Sequence, residues 1–217
     1  METVASRIYG AIKVQIIDGR YAPGARITEE NIAQEFNTSR TPVREAMRQL
    51  VADGFALFKP NSGTVVRDWT PEQVREVFDL RVLLESEIAS LAAVRMTPSD
   101  ITTLLRLQDA IEARGTDIDA SNTARIGPLN REFHGVIAQA SQNSRLVATL
   151  SNAIEVPIVQ QTFRRYSAAQ LARSFGHHRE LIDAFTLHDS AWARCIMGSH
   201  IHSAKQTLLG TTPHVQP

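Results

Sequence analysis

Apolar positions recur with a helical period along most of the chain, and the exceptions are informative. Val4, Ile8, Ala11, Ile12 and Ile16 predict a helix over 4–17, with Gly19 as its stop. Pro23-Gly24 marks a turn, and Thr28 is placed to cap a short helix with Ile32, Ala33 and Phe36 inward. Asn37 follows where a left-handed residue is wanted. Ser39 is placed to cap a third helix, with Pro42 in its first turn, where a missing N–H is harmless. Val43, Ala46, Met47, Leu50 and Val51 form its inward stripe, and Gly54 ends it. Then the period changes. Phe55–Phe58 and Val65-Val66 flank a Pro/Asn/Gly turn, which predicts a β-hairpin. Three helices followed by a hairpin make a winged helix-turn-helix, expected over residues 1–68.

Residues 69–71 read as a linker, with Thr70 as cap and Pro71 at the first position of a new helix. From 72 to 209 the pattern is helical throughout. A long helix runs to about Met96 with Val74, Val77, Phe78, Arg81, Leu84, Ile88 and Leu91 inward. Thr97-Pro-Ser-Asp100 caps the next, which ends near Gly115. Gly127-Pro128 predicts a break, followed by helices over 129–141, 144–167 (interrupted at Pro157), 170–188 and 189–209, and a tail at 210–217. The expected fold is mainly α: an N-terminal winged helix-turn-helix, then an all-α antiparallel bundle.

Composition changes this picture little. Apolar residues make up 43% and charged residues 21%, ordinary for a soluble globular protein. No apolar run reaches membrane-spanning length, and Arg7 and Lys13 interrupt the N-terminus, so neither a membrane span nor a signal peptide is expected. The single Cys195 excludes an internal disulfide, suits a reducing cytoplasm, and is expected as a small buried side chain. Net charge is zero, and residues 1–68 hold nine Lys/Arg against eight Asp/Glu. Any nucleic-acid footprint must therefore be local.

One such footprint stands out. In Thr38-Ser-Arg-Thr-Pro-Val-Arg-Glu-Ala-Met-Arg48, Arg40, Arg44 and Arg48 recur every fourth residue and share one helix face. Like charges stacked so repel, which an external polyanion would compensate. A helix of this kind lies in the DNA major groove with its first residues toward base edges. Ser39 and Thr41 suit phosphate oxygens, and Arg40 and Arg44 can reach either guanine O6 and N7 or phosphates. The bland alternative is a solvated charged face.

This stretch, with Asp53-Gly54-Phe55 and the wing Pro60-Asn-Ser-Gly63, resembles GntR-family bacterial transcription regulators. The helical second half resembles the FCD effector-binding domain of the FadR-type subfamily, so the likeness covers nearly all of residues 5–209. The resemblance implies that Arg40, Thr41, Arg44 and Arg48 contact DNA and that Gly63 lies at the wing tip. Glu30 stands where some fatty-acid-responsive members carry a DNA-contacting arginine, so their operator is not implied.

All seven histidines lie beyond residue 130. Asn130 and His134 share a helix face, and His178 and His200 fall on two later helices. Imidazoles from separate helices can converge on Zn²⁺, Ni²⁺ or a similar ion, although single histidines on apolar helices are more often ordinary core or surface groups. The resemblance favours the ion. Many FCD domains carry an Asp-x-x-x-His pair and two later histidines around a divalent metal, matched here by Asn130, His134, His178 and His200. Asn130 departs from the usual Asp; it can ligate through its carbonyl oxygen but brings no charge. His177, His188 and His202 lie outside the set. Arg81 and Glu85 are four apart, either an ordinary ion pair or, as the resemblance implies, Arg81 facing a carboxylate effector.

The leading expectation is a cytoplasmic, metal-containing regulator, not an enzyme. It would bind a palindromic DNA operator as a homodimer, act as a repressor, and respond to a small carboxylate. Two alternatives remain open: a metal-dependent hydrolase or hydratase using three histidines, and an architectural DNA-binding protein without a ligand.

Overall fold

A computed structural model of the chain describes residues 3–17, 19–60, 62–117, 120–153, 162 and 165–210, with 120–124 and 153 described through their backbone alone. The chain divides between Thr70 and Pro71 into two compact units.

The first unit contains α1 (Val4–Ile17), β1 (Arg26–Ile27), α2 (Glu29–Glu35), α3 (Arg40–Ala52), β2 (Ala56–Lys59) and β3 (Gly63–Val66). Ile8, Ile12, Ile32, Val43, Leu50 and Phe55 are its buried centre, so the inward stripes of all three helices meet the base of the hairpin. Thr28 caps α2 through its side chain, and Asn37 adopts φ 45°, the left-handed turn between α2 and α3. Ser39 occupies the N-cap of α3 but its hydroxyl makes no capping bond. The hairpin pairs Leu57 with Val65 and Phe58 with Thr64. A third strand, β1, pairs antiparallel with β3 to give the order β1-β3-β2. Two residues are too short a run for any period to reveal.

The second unit is all helical among the described residues: α4 (Pro71–Arg95), α5 (Pro98–Glu112), α6 (Ala120–Ala140), α7 (Ser144–Ala153), α8 (Ala168–Thr186) and α9 (Ser190–Leu209). Helix α4 packs along α9 and also meets α6, α7 and α8, while α5 lies against α6 and α8. Its centrality explains why Phe78, Ile88, Ala89, Ala92 and Ala93 are all buried: small residues let neighbours approach. Mainly α architecture, with a small sheet in the first unit, is as the periodicity predicts. No described helix is long and apolar enough to cross a membrane.

Two local expectations are corrected. The break at Gly127-Pro128 is absent, for α6 runs unbroken from Ala120 to Ala140 with Pro128 inside. A proline's ring crowds the Cβ of the preceding residue, and Gly127 has none. Burial of Ile126, Phe133 and Ile137 supplies the packing that keeps the helix together. Cys195 is exposed, because the buried face of α9 is set by Ala193, Met197, His200, Ile201 and Ala204. The expected interruption at Pro157 and most of the tail at 210–217 lie outside the described residues.

The start of α5 behaves as its sequence predicts. Thr97 accepts from the Asp100 backbone N–H while Asp100 accepts from the Thr97 N–H at 2.9 Å and its hydroxyl at 2.6 Å. These bonds hold the Asp100 carboxyl below its ordinary range. Thr97→Ala should cost about 1 kcal/mol, which for a chain of this size lowers the melting temperature by about 2–4 °C. Calorimetry showing no shift would remove the cap from the account of α5.

Candidate metal centre and nucleic-acid interface

Helix α3 buries Val43, Ala46, Met47 and Leu50, which turns the opposite face outward. Ser39, Arg40, Thr41, Arg44 and Arg48 are all exposed on it. Arg44 Nε lies 2.8 Å from Glu29 Oε2, and Arg40 Nη2 lies 3.8 Å from Glu30 Oε2. Both pairs are solvent-exposed and stabilise little, so a phosphate could displace either acid at small cost. Arg44 and Arg48 also line a groove with Met47, Val51, Phe58 and Thr64, between α3 and the hairpin. Gly63 starts β3 opposite Lys59 with φ 76°, a left-handed conformation that closes the hairpin and strains any other residue.

In the second unit the three histidines picked out by sequence come together. His134 from α6, His178 from α8 and His200 from α9 each offer a ring nitrogen, and these atoms lie within 4.8 Å of one another. Asn130, one turn before His134, lines the same small cavity with Arg81, His134, Tyr166, Ser174 and His200. The cavity measures about 20 Å³, enough for a single ion or water. His178 stacks on Phe133 with ring centres 4.2 Å apart.

Hydrogen bonds set which nitrogens face the cluster. His134 Nδ1 is 3.2 Å from Glu85 Oε2, so its N–H donates to the carboxylate and Nε2 is left to coordinate. His178 Nδ1 is 2.8 Å from Gln108 Oε1. Among the described residues, the buried Nε2 of His178 and Nδ1 of His200 have no hydrogen-bond partner, and neither does Nδ1 of neighbouring His177. Buried polar atoms are nearly always satisfied, so two orphaned imidazole nitrogens beside a third point to a missing ligand. The donor set, three imidazoles with the Asn130 amide lining the same cavity, fits a borderline divalent ion such as Zn²⁺. Burial, then the neighbouring histidines, hold His178 well below its ordinary value, and burial does the same for His200, so both rings are neutral and ready to ligate.

Arg81 lies at the cavity wall, and its Nε donates to Glu85 Oε1 at 2.7 Å. The ion pair between Arg81 and Glu85 is therefore present, and it is buried. Burial by itself would raise the Glu85 carboxyl, but Arg81 and His134 together outweigh it and hold it at about 2. Burial pushes the Tyr166 phenol up to about 12. Of the histidines outside the set, His177 is half-buried with its ring 5.9 Å from that of His200, His188 sits within 2.8 Å of the Ala93 carbonyl, and His202 is exposed.

Comparison with known proteins joins the two halves. Residues 4–66 match the gntR family of bacterial regulatory proteins, and residues 76–203, more than half of the chain, match the FCD domain. The chain belongs to the GntR family, with an FCD domain. A probable D-xylose utilization operon transcriptional repressor of Paenarthrobacter nicotinovorans is 27% identical over 92% of this chain and 86% of its own length. The transcriptional regulator LutR of Bacillus subtilis is 27% identical over 90% of this chain and 96% of its own. YdhC, an uncharacterised regulator of the same organism, is 30% identical, but the match spans 64% of this chain and 62% of YdhC. The structure of E. coli McbR/YncC shares the fold, with TM-score 0.70 and 23% identity over 93% of this chain and 95% of that one.

A GntR-FCD protein is a transcription regulator, so the hydrolase or hydratase reading falls. The FCD match encloses Arg81, Asn130, His134, His178 and His200. Sequence reasoning passed over Gln108 and Phe133 at this site and treated Glu85 only as the partner of Arg81. Gln108 did leave a signal: it is a polar residue within the apolar stripe of Leu104, Leu107 and Ile111 on α5.

Proposed function

We propose that this protein is a cytoplasmic repressor that binds a palindromic operator as a homodimer and answers to a small carboxylate held beside a divalent ion such as Zn²⁺. The observation that carries the reading is the trio of buried imidazoles, two with orphaned nitrogens, brought together from three helices. His134, His178 and His200 would hold the ion, with Asn130 as a neutral fourth donor. Bound there, the ion would supply a positive centre for an acid. Its ligands are all neutral and Glu85 is matched by Arg81, so the site would carry surplus positive charge, which favours an anionic effector over a neutral one. A cavity of about 20 Å³ holds little more than a single ion, so we infer that an acid entering it shifts α6, α8 or α9. That movement is the signal we assign to the effector, acting on how two DNA-binding heads are held.

On the DNA side, the exposed face of α3 supports base contacts by Arg40 and Arg44, phosphate contacts by Ser39, Thr41 and Arg48, and a wing closed by Gly63. Arg44→Ala should weaken specific operator binding by about 1–3 kcal/mol through loss of a bidentate base contact. Arg48→Ala should weaken binding to all sequences alike and flatten the salt dependence. Gel-shift titrations at several salt concentrations, with elemental analysis of the purified protein and a panel of small acids, test the whole reading. Equal, sequence-independent losses for both variants would remove Arg44 from base readout. A metal-free protein indifferent to every acid would remove the metal and effector together.

A further inference from the structure

His178 has two nitrogens, and only one tautomer can serve an ion: Nδ1 must carry the hydrogen so that the Nε2 lone pair faces the cluster. What selects that tautomer is legible in a hydrogen-bond chain that starts at the surface. Arg179, next in sequence to His178, grips Glu112 with Nε at 2.8 Å and Nη2 at 2.6 Å, and reaches Asp109 at 2.7 Å. Those bonds hold Glu112 below its ordinary range, as an ionised carboxylate that only accepts. Gln108, fully buried one turn earlier on α5, places its amide Nε2 2.8 Å from Glu112 Oε1 and 3.4 Å from the Phe175 carbonyl. Both neighbours are acceptors, so the amide NH₂ must face them. Flipping the amide would set its oxygen against two oxygens and forfeit both bonds. The amide oxygen is thereby turned to His178 Nδ1 at 2.8 Å, and an amide oxygen only accepts. The Nδ1 atom must donate.

We propose that Gln108 is a positioning residue for the metal centre, its amide oriented by the Glu112–Arg179 pair so that His178 is held as the Nδ1–H tautomer with Nε2 aimed into the cluster. Phe133 stacked on the ring fixes its plane, and Gln108 fixes its rotation and its proton. The inference rests on the metal reading above for its purpose, but not for its geometry. Partners that orient metal-bound histidines typically change metal affinity by 10–100-fold when removed.

The test uses the full-length protein and Zn²⁺ alone. Long-range ¹H–¹⁵N spectra of metal-free protein, with His178 assigned from His178→Ala, should show the Nδ1–H tautomer. Gln108→Leu, close in volume but without an acceptor, should lose that preference and bind Zn²⁺ about 10–100-fold more weakly in competition with a chromophoric chelator. Glu112→Ala should give an intermediate loss, because only the Phe175 carbonyl then orients the amide; a packing role for Gln108 predicts none. Glu112 is partly exposed, so this variant carries the test if Gln108→Leu fails to fold. Wild type showing His178 as Nε2–H, or an unchanged tautomer in Gln108→Leu and Glu112→Ala, overturns the proposal. Wild type with the expected tautomer but no Zn²⁺ binding overturns the metal reading and leaves the hydrogen-bond chain standing.

Discussion

Chelation should lower the melting temperature of the purified protein by about 5–10 °C, and Zn²⁺ or Ni²⁺ should restore it. A ligand bound only by the native state stabilises it by about 2.7 kcal/mol at a hundredfold excess over Kd, and each kcal/mol is about 2–4 °C for a chain of this size. The ion would tie α6, α8 and α9 together, so its removal frees three helices at once. His178→Ala should abolish the chelator response. His177→Ala should preserve it, because adjacent helical residues project about 100° apart. Asn130→Asp should tighten binding by adding a negative charge beside the ion. A wild type that melts alike with and without chelator would reassign the histidines as donors to an acidic effector.

Acid acts on the same centre with a definite sign. Burial lowers the folded-state pKa of His178 and His200, so below about 6.5 the unfolded chain binds protons that the folded chain refuses. Stability therefore falls as pH drops through that point, by about 1.4 kcal/mol per pH unit per histidine. It is unaffected by these groups above it. Bound metal competes with the same protons and should become harder to retain over the same window.

What could be read from sequence was local. Thr28, Asn37 and Thr97 declare themselves because caps and left-handed turns depend on neighbours within four residues. The outward arginines of α3 follow from the spacing of Val43, Ala46, Met47 and Leu50. Pairing and packing were less visible. Strand β1 exists only through its pairing with β3, nearly forty residues on. Pro128 looked like a break because its helix is sustained by tertiary burial rather than propensity. Spacing puts Asn130 and His134 on one face but says nothing about which helices meet, so the convergence of three histidines was expected from family likeness alone. Gln108 and His178 are 70 residues apart, and no periodicity connects them.

The second large effect is expected at the surface of α4. Leu80, Leu83 and Val94 are 40%, 69% and 65% exposed. Leu83 is three residues from Leu80 and eleven, just over three full turns, from Val94, so the three share one outward face, with the Glu87–Arg194 ion pair between Leu83 and Val94. Such a face on the central helix supports α4 as part of the dimer interface we propose. A two-fold interface uses the same patch on both subunits, so one substitution acts twice. Leu83→Glu would remove two apolar contacts and set two carboxylates against each other near the axis. The protomer itself should lose less than about 0.5 kcal/mol, because an exposed side chain contributes little to its own fold. Sedimentation should then show a folded monomer. Operator affinity should drop by about 10²–10⁴-fold, because two heads that were linked must bind independently. Binding to a single half-site should stay unchanged, which separates lost assembly from damaged DNA contacts. A Leu83→Glu protein that remains dimeric and binds the full operator as tightly as wild type would place the interface elsewhere.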